Sequence, residues 1–359
     1  MNASSDRFGP ILGLDVMRAI AVSLVLLCHW SGHFGYWFGV AVPDVMDFAG
    51  DTGVELFFAL SGFLIGRILI DLIGRGPDWR AWRVFMARRA VRTLPLYFLW
   101  LGLLLALFPP REDVFAVALR FATLTQNLLT PMPPDYYFAV TWSLTIEAWF
   151  YFLFAGALFL LARFVNRDRA LAICLTLFIL APLALRISLG GRPGIVIYRI
   201  DEIAYGVLMA RLSMGRVWRH PWSMLAAGMG LIVWAANGLS GLPESLAAPL
   251  TPAVVVAGCA LGLPAALATR RAPAWIEVPV RWIASRSYAL YLIHFTILVD
   301  IAETRLWEPG ILAALPAAVV AIAVPFGLAE LSFRLLESPL ARRRPRQDAL
   351  AMRGLVAAE

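Results

Sequence analysis

Lysine is absent from this 359-residue chain, so all 31 basic residues are arginine, and only four histidines and three cysteines occur. The missing lysine excludes Schiff-base chemistry and a phosphate loop built on an invariant Lys. Cys28, Cys174 and Cys259 stand far apart in apolar runs. They read as small buried hydrophobes, with neither a disulfide framework nor metal-ligand spacing. Charge is also scarce: 15% of residues are charged and 60% are hydrophobic, against roughly 25% and 45–50% in soluble chains. With a mean hydropathy of +0.75, this composition excludes an ordinary water-soluble enzyme and predicts a membrane protein. The net charge of +7 does not indicate nucleic-acid binding, because the basic residues are not gathered on a hydrophilic domain. The start, MNASSDRFGP, lacks the charged region and small-residue cleavage site of a removable signal peptide, so the first apolar run is expected to remain as a helix.

A spanning helix needs about 20 mostly apolar residues. Ten segments qualify, near 11–31, 53–73, 93–108, 141–162, 170–187, 194–212, 222–237, 251–268, 283–303 and 311–336. Arginine divides their connections sharply. One side holds 22 arginines, including Arg75, Arg80, Arg83, Arg88, Arg89 and Arg92 in a single loop; the other holds only Arg111, Arg120, Arg192 and Arg305. The positive-inside rule makes the arginine-rich side cytoplasmic and puts both termini inside. The expected fold is an all-α, polytopic transmembrane helical bundle over residues 1–340, followed by a basic cytoplasmic tail over 341–359. The outer connection 109–140 contains an amphipathic piece, DVFAVALRFATLTQNLL, read as an interfacial helix rather than a lid.

Ionisable residues inside spans are costly and face a protein interior or a water-filled cavity, which makes each a functional candidate. In the first span, Arg18 and His29 are eleven residues apart, about 1100° of helix and within about 20° of three turns. They share one face, separated by about 16 Å along the axis. Geometry alone weighs a snorkelling arginine and an interfacial histidine evenly against a functional pair. The second span carries Glu55, Ser61 and Gly62, the last placed for close helix approach. In the fourth, TWSLTIEAWFYF, Ser143 and Glu147 stand one turn apart on one face, and His29, at comparable depth, is the expected partner of Glu147. The sixth contains Arg199 and Asp201, whose spacing of two prevents them from facing each other; each is expected to reach a different neighbouring helix. The ninth, SRSYALYLIHF, carries Ser287, Tyr288, Tyr291 and His294, read as interface tyrosines and an interhelical hydrogen bond. Glu330 and Arg334 are spaced for an ion pair. The arginine-rich loop 74–92 suits anionic lipid or a phosphorylated cofactor.

Six of these pieces, in order, resemble the integral-membrane acyltransferase-3 family, which includes bacterial enzymes that O-acetylate surface polysaccharides. They are the Arg-x10-His of Arg18 and His29; GVELFFALSGFL with the Arg-x-x-Arg of Arg89 and Arg92; WSLTIEAWFY; RIDEIAYG; SYALYLIH; and the terminal LLESP. The resemblance implies ten helices in a bacterial cytoplasmic membrane, with no bound cofactor and acyl-CoA, by default acetyl-CoA, as a donor entering from the cytoplasm. The acceptor it implies is a hydroxyl, often of a sugar or exported glycan. It carries the catalytic role onto His29, donor handling onto Arg18, Arg89 and Arg92, and a functional acid onto Glu147. Some members carry an additional extracytoplasmic domain, which is not expected in this chain. Neutral imidazole can take the proton of a hydroxyl attacking a thioester, so direct transfer with His29 as base is the first expectation and an acyl-histidine route the variant. Glu55, Ser61, Ser143, Arg199, Asp201, Tyr288 and His294 form the expected polar core or substrate surface. The alternative function is a transporter or flippase for a lipid-linked glycan or metabolite, using the same charges as a relay.

Overall fold

The structure, a computed structural model, describes residues 11–111, 113–132, 137–190, 194–308 and 310–342. Nearly all of the expected tail, and Arg192, lie outside the described residues. Among the described residues there are no strands. The helices are α1 (Leu12–Phe38), α2 (Val45–Gly74), α3 (Trp79–Leu107), α4 (Val114–Ala122), α5 (Trp142–Leu161), α6 (Arg167–Leu189) and α7 (Val196–Arg199). They continue as α8 (Asp201–Ser213), α9 (Pro221–Ala236), α10 (Glu244–Leu261), α11 (Leu263–Ala268), α12 (Ala274–Thr296), α13 (Ile311–Ser332) and α14 (Ser338–Arg342). A π-helical stretch, Ile297–Leu306, prolongs α12.

Sequence chemistry sets several of the ends. Asp78 caps α3 by accepting from the Arg80 amide at 2.9 Å, and Asn166 caps α6 through the Arg169 amide at 2.9 Å, each satisfying a donor the helix leaves unpaired. Gly39 stops α1 at φ 65°, a left-handed conformation that glycine adopts without a Cβ clash.

Among the described residues, eight helices are long and apolar enough to cross a membrane: Leu12–Phe38, Val45–Gly74, Trp79–Leu107, Ala139–Leu161, Arg167–Leu189, Glu244–Ala268, Ala274–Thr304 and Leu312–Arg342. Two of the ten expected segments fall short of that standard. The segment at 194–212 is divided into α7 and the 13-residue α8 around Arg199 and Asp201, and α9 has 16 residues, about 24 Å of helix against a hydrocarbon core of about 30 Å. The amphipathic piece of the outer connection does fold as a short helix, α4.

Although short, α8 packs along the middle of α2. A Cβ on Gly62 would stand 1.9 Å from the Ile203 carbonyl oxygen, and one on Gly206 would stand 2.2 Å from that of Ala59. Backbones this close require small residues, the usual device where helices associate within a membrane. Because Gly62 meets Ile203 and Gly66 meets Val207, the two helices run parallel. So do α1 and α12, joined near one end by Asp15 and Arg281 at 3.1 Å and further along by His29 and His294. All three cysteines are free.

Replacing Gly62 with Leu should force α2 and α8 apart and destabilise the fold by about 1–3 kcal/mol, the usual cost of overpacking. Thermal unfolding in detergent measures this, with Gly102→Leu, which enters open space, as the control expected to unfold like the parent chain.

Candidate active site

The shared face of Arg18 and His29 on α1 is turned toward the bundle interior. His29 Nδ1 lies 2.9 Å from His294 Nε2, and His294 Nδ1 lies 2.9 Å from the Leu290 carbonyl oxygen. These contacts fix the protons of the neutral pair. A carbonyl only accepts, so His294 carries its proton on Nδ1 and donates it to Leu290; His294 Nε2 is then an acceptor, and His29 must donate from Nδ1. The remaining lone pair is on His29 Nε2, which has no hydrogen-bond partner among the described residues and borders an open cleft with Gly32 and His33. Phe295, with ring centroids 4.8 Å apart and edge-on to His29, holds the imidazole laterally. His294, fully buried, therefore makes the expected interhelical hydrogen bond, and its partner is the histidine of the first span.

A second cluster lines a slot toward the other end of α1. Arg18, Arg89 and Arg92 border it together with Ser61, Ser143, Glu147, Tyr151 and Tyr288. Its accessible space is about 110 Å³, below the roughly 300–1,000 Å³ of a typical ligand pocket, so the slot admits a chain rather than a whole nucleotide. Arg18 is anchored by Asp15 at 2.9 Å. An apolar cleft of about 290 Å³ adjoins the slot, with Arg89, Glu147 and Tyr151 bordering both.

The expected pairing of Glu147 with His29 does not occur. Glu147 accepts a 2.5 Å hydrogen bond from Ser61 and another from Tyr151. Tyr151 is one turn along the same helix, where its phenol reaches the carboxylate directly, while α12 brings His294 to the position beside His29. Tyr288 and Tyr291 are interior groups rather than an interface belt. Tyr288 donates to the Thr93 carbonyl at 2.7 Å, and the Tyr291 hydroxyl meets Ser143 at 2.7 Å and the Val140 carbonyl at 2.9 Å.

A clamp of buried charge supports this site. Arg186 binds Asp201 through two hydrogen bonds, each 2.7 Å, and Arg199 binds Glu202 at 2.6 Å and Glu55 at 3.2 Å. Arg199 also lies over the Trp142 ring, 4.7 Å from its centroid. Arg199 and Asp201 thus reach different helices, α2 and α6, as their spacing requires. Glu330 accepts from Arg286 at 2.7 Å and from Arg334, the latter being the pair expected from sequence.

The pattern of the acyltransferase-3 family, described as an acyltransferase domain, matches residues 11–330. The chain belongs to the acyltransferase-3 family. Among curated relatives, it is 25% identical over 381 residues to the peptidoglycan O-acetyltransferase OatA of Listeria monocytogenes, a match covering 94% of this chain and 56% of that protein. It is 30% identical over 205 residues to the O-acetyltransferase OatA of Staphylococcus aureus, covering 50% of this chain and 29% of that protein. The chain spans about half the length of the first of these relatives. No solved structure matches it.

Several members of the polar core escape a reading of the sequence. Arg186 and Glu202 complete the clamp; Arg186 lies in no quoted motif, and Glu202 stands within RIDEIAYG without having been singled out. Tyr151 was detectable as the residue one turn beyond Glu147. His33 was detectable as a second histidine one turn beyond His29; its ring binds the Glu303 carboxylate. Asp201→Asn should cost about 3–5 kcal/mol by leaving Arg186 uncompensated, whereas replacing the pair with Met and Leu should cost less. Denaturation of the two variants in detergent tests that order.

Proposed function

We propose that the chain is a membrane O-acetyltransferase that moves an acetyl group from a cytoplasmic acyl-CoA donor to a glycan hydroxyl on the outer side of a bacterial cytoplasmic membrane. Peptidoglycan is the acceptor class suggested by the names of the relatives. The observation that carries this reading is His29: a half-buried imidazole with one nitrogen fixed by His294 and the other without a hydrogen-bond partner among the described residues. It also lines a cleft distinct from the arginine slot. An imidazole in that state can accept a proton or attack a carbonyl carbon.

The roles follow from charge and shape. Arg18, Arg89 and Arg92 surround a narrow entry, and guanidinium groups bind phosphate and other anionic groups with two parallel hydrogen bonds. They would hold the donor's phosphates near the membrane edge while its thioester arm extends along the shared face of α1. The roughly 16 Å between Arg18 and His29 suits a long flexible arm. Glu147, with Ser61 and Tyr151, would line the passage and accept hydrogen bonds from the arm. The arginine asymmetry of the loops supports cytoplasmic termini, and the parallel packing of α8 on α2 supports counting α7–α8 as a crossing, which with α9 restores ten.

Purified full-length protein in nanodiscs, given labelled acetyl-CoA and soluble peptidoglycan strands, should form glycan ester. His29→Ala should reduce that rate by about 10²–10⁴-fold, the usual contribution of a positioned acid or base. Unconsumed thioester with the parent chain would overturn the reading. In the same assay Arg89→Ala and Arg92→Ala should raise the donor KM by about tenfold, some 1.4 kcal/mol of lost binding, with a smaller change in kcat. An equal loss in kcat with KM unaltered would remove these arginines from donor binding.

A further inference from the structure

We propose that His33, held by Glu303, is the base that takes the proton from a sugar hydroxyl in an outward cleft, and that His29, in the same cleft, carries the acyl group to it. This rests on the acyltransferase reading above and assigns the acceptor half of the reaction.

His29 and His33 are one turn apart on α1 and border one cleft with Tyr36, Asp47 and Glu303. The two imidazoles are oriented in the same way by different partners. His33 binds the Glu303 carboxylate through Nδ1, so its Nδ1 carries the proton and its Nε2, which has no hydrogen bond among the described residues, is the basic nitrogen. The carboxylate also stabilises the imidazolium that forms when Nε2 takes a proton, as in hydrolytic triads. His29 makes no such ion pair among the described residues. Its Nδ1 donates to the neutral His294, which fixes the ring without favouring a positive charge on it. Of the two, His33 has the better environment for a base, while His29, adjoining the donor route, has that of a neutral nucleophile.

The backbone brings Glu303 to this position. His294 and Glu303 are nine residues apart; regular α winding would separate them by about 900°, on opposite faces of the helix. The wider winding of the π stretch from Ile297 to Leu306 returns Glu303 to the α1 side, and such π segments occur frequently at functional sites. The rest of the cleft suits a polyhydroxylated ligand. Tyr36 is exposed beside Trp307, with ring centroids 5.2 Å apart, and offers an aromatic face for a sugar ring, while Asp47, whose Oδ1 accepts from the Cys28 thiol, offers a carboxylate to a ligand hydroxyl.

The sequence of bonds is then balanced. His29 Nε2 attacks the thioester carbonyl, the carbon–sulfur bond breaks, and the thiolate leaves, giving an acyl-imidazolium whose Nδ1 proton remains on its bond to His294. His33 Nε2 then takes the proton of the acceptor hydroxyl, the oxygen attacks the acyl carbon, and the carbon–nitrogen bond breaks. An ester and neutral His29 result, and His33 releases its proton to water.

Hydroxylamine, which attacks acyl-imidazoles without a base, separates this role from a structural one. Full-length protein in phospholipid nanodiscs is supplied with labelled acetyl-CoA and, in parallel, hydroxylamine or soluble peptidoglycan strands. The His33→Gln variant should release thiol and form hydroxamate at a rate of the same order as the parent, while glycan ester falls by about 100-fold or more. Glu303→Gln should lose glycan ester in the same selective way without altering α1, and Glu303→Asp should recover part of it. The assignment to His33 is overturned if His33→Gln esterifies glycan at the parental rate, or if hydroxamate and glycan ester are lost together in both His33→Gln and Glu303→Gln. Hydroxamate without glycan ester from the parent chain overturns the sugar acceptor. Absence of thiol release from the parent overturns the acyltransferase reading itself.

Discussion

A charge carried into the hydrocarbon layer must meet an opposite charge at hydrogen-bond distance, because no water is present to solvate it. The packing at the centre of this protein follows from that constraint. Arg186 of α6 and Asp201 of α8 are locked by two hydrogen bonds, and Arg199 joins Glu202 to Glu55 of α2. Three helices that hydrophobic contact alone would leave free to slide are thereby fixed in register. The glycine contact between Gly62 and Gly206 then lets α2 and α8 approach closely enough for those side chains to meet. The charges select the partners, and the small residues set the distance.

The chemistry is arranged around this frame in two places rather than one. The arginine slot, with Glu147 bound to Ser61 and Tyr151, lies between α1, α2, α3, α5 and α12. The imidazoles lie beyond it, His29 fixed by His294 and His33 by Glu303. Tyr291 connects the two regions, bordering the slot and placing its ring 6.2 Å from that of His294. The proposed division of labour follows this layout. An arginine-lined entry suits the anionic end of a donor, and an outward cleft with an aromatic face suits a sugar.

Much of the bundle was legible from composition and hydropathy, since a run of about 20 apolar residues has one stable form in a bilayer, a helix with its backbone bonds made internally. Eight of the ten expected segments are helices of spanning length. The divided segment shows what hydropathy averages away: Arg199 of α7 and Asp201 and Glu202 of α8 are accommodated because Glu55 of α2 and Arg186 of α6 supply countercharges and Arg199 pairs with Glu202. The site was legible in part. Helical spacing put Arg18 with His29, and Ser143 with Glu147, on common faces; Arg18, Ser143 and Glu147 line the slot, and His29 lines the second cleft.

The sequence by itself determined that this chain is a helical membrane protein, which residues interrupt its apolar spans, and which of them share a helix face. These are consequences of composition and of a fixed 3.6-residue period. Only the tertiary structure decided the partners. It gave His29 to His294 rather than to Glu147, because α12 runs beside α1 in parallel register while Tyr151 already satisfies the acid from its own helix. It also brought Glu303 to His33, which an α-helical period places on the wrong face and a π stretch turns back. Pairing across helices depends on packing distance and local winding, neither of which the order of residues along one helix specifies.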